Sequence, residues 1–262
     1  MKIACSSQSF DELLLERKME LDEFYQFCST LPFVNGVELE DKHIFHPNDK
    51  SYLNEIVELS NQYNLPIVNL AFDCNFGFES EEKINAELAR VKEWVEIAKA
   101  LHIQNFRLFA GWPDFDKEKQ WNSMIRFVDQ AATIVEEAGL TVVIENHNHG
   151  GFLSNSDDVL RMFNDLNRPS IKLLLDTGNY VDQLDGVLKT AHFSGHVHAK
   201  VKEINANGEE RDINYPTILR KLRDVDYNGW LSIEYEGNLD PKSVVNQFGQ
   251  FLSKELKKTM EV

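Results

Sequence analysis

In TVVIENHNHGG, IKLLLDTGNY, SGHVHAKV and WLSIEYEG an apolar run closes on a side chain able to hold a metal: Glu145, Asp176, His198 and Glu234. Three carboxylates and one imidazole suit a divalent ion such as Mn²⁺, Zn²⁺, Co²⁺ or Mg²⁺. Any one of these residues can also be read as a polar strand end or a helix N-cap. Four recurring at the same place in consecutive units need a common cause. Left without a cation, three clustered carboxylates would raise one another's pKa.

Other ionisable residues share the phase of these strand ends. On a strand, Val143, Glu145 and His147 lie on one face, so His147 could bind substrate or orient a ligand. Lys200, two residues past His198, faces the same way and could stabilise an oxyanion or pair with an acid; His196 falls deeper on that face. Glu38, Glu40 and Arg107 are candidates for substrate hydroxyls or for a barrel ion pair. Trp112 could stack on a substrate or anchor packing. His43 and His46 read as surface residues, and Glu236 as a contact to solvent or a loop.

The elements that must position these residues alternate along the chain. Strands are expected at Lys2–Ser6, Gly36–Glu40, Ile67–Ala71, Asn105–Phe109, 141–145, Lys172–Leu175, Gly195–Lys200 and Leu231–Tyr235. Between them run helical stripes such as Ile84, Leu88, Val91, Val95 and Ala98, or Trp121, Ile125, Val128, Ala132 and Val135. Gly139 stands where a C-cap glycine belongs, Ser156 can cap a helix, Pro216 and Pro241 open helices, and Asn207-Gly208 marks a tight turn between Glu203 and Arg211. Eight strands each followed by a helix predict a (β/α)₈ TIM barrel, one domain over residues 1–262, with its active site at the carboxyl ends of the strands. An open doubly-wound sheet would call for a Gly-rich loop after the first strand, and Cys5 to Phe10 contains no glycine.

With 262 residues, 42% hydrophobic and 27% charged, the chain has the composition of an ordinary globular protein. A net charge of −16 would repel a phosphate backbone, so nucleic acid is not an expected partner. No apolar run approaches the roughly 20 residues of a membrane span, and MKIACSSQSF lacks a secretory signal pattern, so no membrane partner and a cytoplasmic location are expected. Cys5, Cys28 and Cys74, odd in number and far apart, fit buried thiols in a reducing compartment.

The motifs IENH (144–147), LLDTGN (174–179), HVHAK (196–200) and GWLSIEYEG (229–237), with GVELE (36–40) and FRLFAG (106–111), resemble the xylose isomerase-like superfamily of TIM barrels, in its sugar phosphate isomerase/epimerase group. The resemblance implies a metal held by Glu145, Asp176, His198 and Glu234, and it assigns proton transfer to Glu145 and Glu234. The expected substrate is a ketose or related keto-sugar, phosphorylated or not, isomerised or epimerised through a metal-stabilised enediolate. Many members have a His three residues after the Asp; this chain has Asn179. A lyase or dehydratase acting on a keto-sugar or inosose would share the first half-reaction. The apurinic endonuclease branch requires more His ligands and a DNA groove, and a non-catalytic sugar binder would not require an intact ligand set. A small sugar is thus the expected partner, and a homo-oligomer is compatible with the sequence.

Overall fold

Strands made of consecutive apolar residues must be covered on both faces, and a parallel sheet closed inside a ring of helices does this. The computed structural model describes residues 1–260 and has that arrangement. Its strands are β1 (Lys2–Ser6), β2 (Val34–Glu40), β3 (Ile67–Ala71), β4 (Asn105–Phe109), β5 (Thr141–Glu145), β6 (Lys172–Asp176), β7 (Ser194–Val201) and β8 (Trp230–Tyr235). All are parallel and follow one another in sequence order. β8 pairs with β1, so the barrel is closed and no edge is left.

Around it lie α1 (Asp11–Leu15), α2 (Leu21–Ser29), α3 (Lys50–Tyr63), α4 (Glu81–Ala100), α5 (Lys117–Glu137), α6 (Ser156–Leu166), α7 (Gln183–Thr190), α8 (Tyr215–Asp224) and α9 (Pro241–Met260). Their apolar stripes face the strands, with Val91, Val95 and Ala98 of α4 and Trp121, Val128 and Val135 of α5 fully or almost fully buried. Caps follow the local chemistry. Ser80 accepts a hydrogen bond from the Lys83 amide at the start of α4, and Gly139, at φ +82°, follows the end of α5 in a conformation that favours glycine. The helix expected to be capped by Ser156 is instead capped by Asn155, one residue earlier, whose side chain accepts from the Asp158 amide.

Other features depart from expectation too, among them one-residue extensions at the end of β6, at both ends of β7 and at the start of β8. β2 starts at Val34, two residues before the Gly36 boundary. The segment after β1 is helical, a 3₁₀ turn over Ser7–Phe10 running into α1, and five residues are too few to show a periodic stripe. The Glu203–Arg211 excursion is closed by an antiparallel bridge between Ile204 and Glu210, with Gly208 at φ +77° in its turn. Among the described residues no helix is long and apolar enough to cross a membrane. All three cysteines are free and buried.

Candidate functional site

Strand register brings the ionisable strand ends together. Asp176 on β6 is paired with His198 on β7, and Lys200 on β7 with Glu234 on β8. From the other side Arg107 on β4 reaches Glu145 on β5, with Nη1 3.0 Å from Oε2. These side chains point into the barrel at the carboxyl ends of their strands, the end at which TIM barrels place their sites.

His198 Nδ1 is the point on which the carboxylates converge. It lies 3.3 Å from Glu234 Oε2, 3.8 Å from Glu145 Oε1 and 3.9 Å from Asp176 Oδ2. Bonds of about 2.0–2.2 Å to one ion would set neighbouring ligand atoms roughly 3.0–3.6 Å apart, so this spacing fits a shared cation after small adjustments. His198 Nδ1, Asp176 Oδ2 and Glu234 Oε2 are buried, and among the described residues Lys200 Nζ is the ammonium that offsets the two carboxylate oxygens, at 3.1 and 2.6 Å; buried carboxylates crowded in this way are costly unless further positive charge satisfies them. Glu145, Asp176 and His198 form one group able to hold a metal ion. Glu234 stands beside that group, drawn toward Lys200.

Asp176 is held so that Oδ2 turns toward His198 and Lys200. Its Oδ1 accepts from the Gly178 amide at 2.7 Å, and the Asn146 side chain clamps its backbone on both sides, accepting from its N–H at 2.8 Å and donating to its carbonyl at 3.0 Å. Lys200 supplies a fixed positive charge, its Nζ lying 2.6 Å from Glu234 Oε2, 3.1 Å from Asp176 Oδ2 and 3.0 Å from Glu236 Oε1. A side chain at Gly178 would put its Cβ 2.6 Å from Lys200 Cγ, so glycine is what lets the lysine stem pass.

These contacts drive the carboxylates apart electrostatically. Burial pushes Glu145 up, with Arg107 opposing. Burial together with the Glu234 and Glu145 charges pushes Asp176 well up, against the pull of Lys200. At Glu234 burial acts upward too, yet the Lys200 and His198 charges prevail and hold it well below the usual carboxylate range. His198 is raised well above an ordinary imidazole, because Glu38, Glu234 and Glu145 outweigh its burial.

Above the cluster opens a cavity of about 170 Å³, lined among others by Glu145, Glu234, Lys200, Arg107, His147 and Asn179. That is below the roughly 300–1,000 Å³ of drug-sized pockets, so it suits a small molecule. Arg107 bridges Glu145 and Glu40, with Nη2 3.2 Å from Glu40 Oε2, and its guanidinium lies over the Phe109 ring. It is thus both a barrel ion pair and part of the cavity wall. Burial pushes Glu40 up to about 8 despite Arg107. His147 packs edge-on against Trp112 with ring centres 5.1 Å apart. Its pKa is lowered to about 4 by burial, reinforced by the Lys200 and Arg107 charges. Asn179 donates to Glu145 Oε1 at 3.4 Å and to His147 Nδ1 at 3.3 Å, so this departure from the family pattern still faces the site.

Glu145, Asp176, His198, Glu234, Lys200, His147 and Arg107 are therefore brought together. Glu38, read as a candidate for a sugar hydroxyl or a barrel ion pair, is fully buried and lies one layer deeper, paired with His196 and His198; Glu40 is the β2 acid that reaches the cavity. His43, expected on the surface, is fully buried between Ser7 Oγ and Asp11 Oδ1 because the 3₁₀ turn Asp41–His43 folds it under the first loop. His46 is exposed, and Glu236 is exposed but paired with Lys200. Gln8, Lys42 and Asp73 also line the cavity. They come from loops without an apolar run, and no sequence signal marked them.

Comparisons with known proteins agree with the fold. A Danio rerio protein that bears the name of a hydroxypyruvate isomerase is 25% identical over 177 residues, 61% of this chain and 62% of that protein. Inosose dehydratase of Geobacillus thermodenitrificans (strain NG80-2) is 24% identical over 166 residues, 52% of this chain and 54% of the relative. The matches thus span less than two thirds of either curated relative. A xylose isomerase domain protein from Alicyclobacillus acidocaldarius subsp. acidocaldarius has a TM-score of 0.77 at 16% identity, over 99% of both chains, a likeness of fold. The family model described as a xylose isomerase-like TIM barrel matches residues 34–253, and the chain belongs to that family.

Proposed function

We propose that this chain is a divalent-metal-dependent isomerase or epimerase of a small keto-sugar. The observation that carries the reading is the approach of Glu145 and Glu234, from β5 and β8, to His198 Nδ1 at the floor of the cavity. Glu145, Asp176, His198 and Glu234 would hold the ion. When bound, a divalent ion supplies the positive charge that makes the carbon between a carbonyl and a hydroxyl acidic.

The remaining work falls to side chains. Glu234, kept ionised by Lys200, is suited to take a proton from that carbon. Glu145, the other carboxylate at the cavity floor, is suited to return one. Arg107 fixes Glu145, and Lys200 fixes Glu234. His147 and Asn179 line the wall where sugar hydroxyls would be received.

A lyase or dehydratase acting on a keto-sugar or inosose is the second reading, favoured by the similarity to inosose dehydratase at nearly the identity of the isomerase match. The two readings part after the shared proton abstraction. Metal-loaded protein, incubated in D₂O with a panel of ketoses and inososes, should exchange the α-proton of its substrate. A rearranged sugar of unchanged mass, apart from deuterium, supports the isomerase; loss of water supports the dehydratase. No exchange with any member of the panel would contradict both.

A further inference from the structure

Beneath the cavity floor lies a second ionisable cluster for which proton transfer has no use. Glu38 on β2 reaches across the barrel to β7, with Oε1 2.7 Å from His198 Nε2 and Oε2 2.8 Å from His196 Nε2. All three residues are fully buried. Asn69 donates from Nδ2 to Glu38 Oε2 at 3.2 Å, and Ser232 Oγ lies 2.8 Å from His196 Nε2.

The same three residues could be read as a second cation site. Their spacing argues against it. Two ligand atoms on one ion, at bonds of about 2.0–2.2 Å, stand roughly 3.0–3.6 Å apart, and separations of 2.7 and 2.8 Å leave no room for an ion between them. These are the distances of a carboxylate accepting hydrogen bonds from ring N–H groups.

The two ring nitrogens of His198 therefore face different worlds. Nε2 meets the Glu38 carboxylate below, and Nδ1 meets Glu145, Asp176 and Glu234 above. We infer that Glu38 is a positioning residue, which takes the Nε2–H of His198 and so fixes the ring with its Nδ1 lone pair toward the ion site. The inference rests on the reading of Glu145, Asp176, His198 and Glu234 as that site. A carboxylate behind a ligand imidazole fixes its tautomer and orientation and raises its basicity, and losing such a partner typically weakens metal binding 10–100-fold. Asn69 extends the chain one step outward by holding the second Glu38 oxygen.

The test reads binding and tautomer, independently of any sugar. Full-length protein labelled with ¹⁵N-histidine and loaded with Zn²⁺ should give a long-range ¹H–¹⁵N spectrum in which His198 carries its proton on Nε2. The affinity for Mn²⁺, measured by chelator competition, should be 10–100-fold weaker in Glu38→Gln, with one ion per chain in both proteins. A purely structural role would lower the melting temperature of chelated Glu38→Gln and leave its Mn²⁺ affinity at the wild-type value, which would overturn the inference. So would a His198 protonated on Nδ1 in the Zn²⁺-loaded wild type, or a second ion lost on substitution. If Glu38→Gln does not fold, Glu38→Asp, which keeps the charge but shortens the reach to His198 Nε2, is read in the same chelator competition, and a wild-type Mn²⁺ affinity there would overturn the inference as well. A wild type that takes up neither ion would contradict the ion site itself, and this inference with it.

Discussion

Lys200 Nζ lies 2.6 Å from Glu234 Oε2, and the two residues are register partners on neighbouring strands. The pairing is forced by the parallel β7·β8 ladder, and its effect is to hold a buried carboxylate in its charged form. The same ammonium is 3.1 Å from Asp176 Oδ2, so Lys200 partly neutralises two of the proposed ion ligands.

Removing this charge should therefore matter most when no cation is present. Lys200→Met leaves Asp176 and Glu234 buried without their ammonium, and breaking a buried pair in this way costs about 3–5 kcal/mol. The chelated variant should lose stability of that order in urea denaturation, and a divalent ion should restore most of it. An equal loss with and without the ion would mean that the lysine is not sharing those carboxylates with a cation.

Ion binding to the folded state adds RT ln(1 + [L]/Kd), or about 2.7 kcal/mol at a hundredfold excess over Kd. For a chain of this size that corresponds to a rise in Tm of roughly 5–10 °C. Mn²⁺ or Zn²⁺ added to chelated protein should produce it in a thermal melt. Asp176→Asn, which keeps the Asn146 clamp on the backbone but weakens the side chain as a ligand, should remove most of the rise.

His147 should remain neutral through the physiological range, since its pKa is lowered to about 4. The sign follows from linkage: below about pH 6.5 the unfolded chain binds a proton at this residue that the folded chain refuses. The contribution of a neutral, buried His147 to stability is thus complete above that pH and declines as the pH falls toward 4. Its ring resonances in an NMR titration should move near pH 4, and His147→Gln should flatten the acid side of the stability curve. A midpoint near 6.5 would contradict the packing against Trp112 and the nearby cations as its environment.

The site was legible in the sequence wherever an ionisable residue ended an apolar run. The bounds of β1, β3 and β4 coincide with the sequence reading, and Glu145, Asp176, His198 and Glu234 do converge. Depth was not legible. Glu38 and Glu40 share strand parity, yet one lies under His198 and the other lines the cavity. Two residues along a strand are about 6.6 Å, and the level each reaches depends on strand tilt and stagger around the barrel, which one sequence does not state. His43 illustrates another limit, since its burial depends on how a three-residue turn after β2 meets Ser7 and Asp11 of the first loop. Asn179 shows that a changed residue type need not leave the site: its amide still bridges Glu145 and His147.

The central claim is that Glu145 and Glu234 move the substrate proton, and solvent deuterium exchange at the α-carbon measures this most directly. Glu→Gln at either position keeps the size and one oxygen while removing the basic carboxylate. With metal content measured in every sample, each metal-loaded variant should stay folded and exchange on the order of 10²-fold or more slowly than wild type, the usual scale for a positioned acid or base. Wild-type exchange rates in both metal-loaded variants would contradict the account and assign the proton to another group, with Lys200 and His147 the nearest.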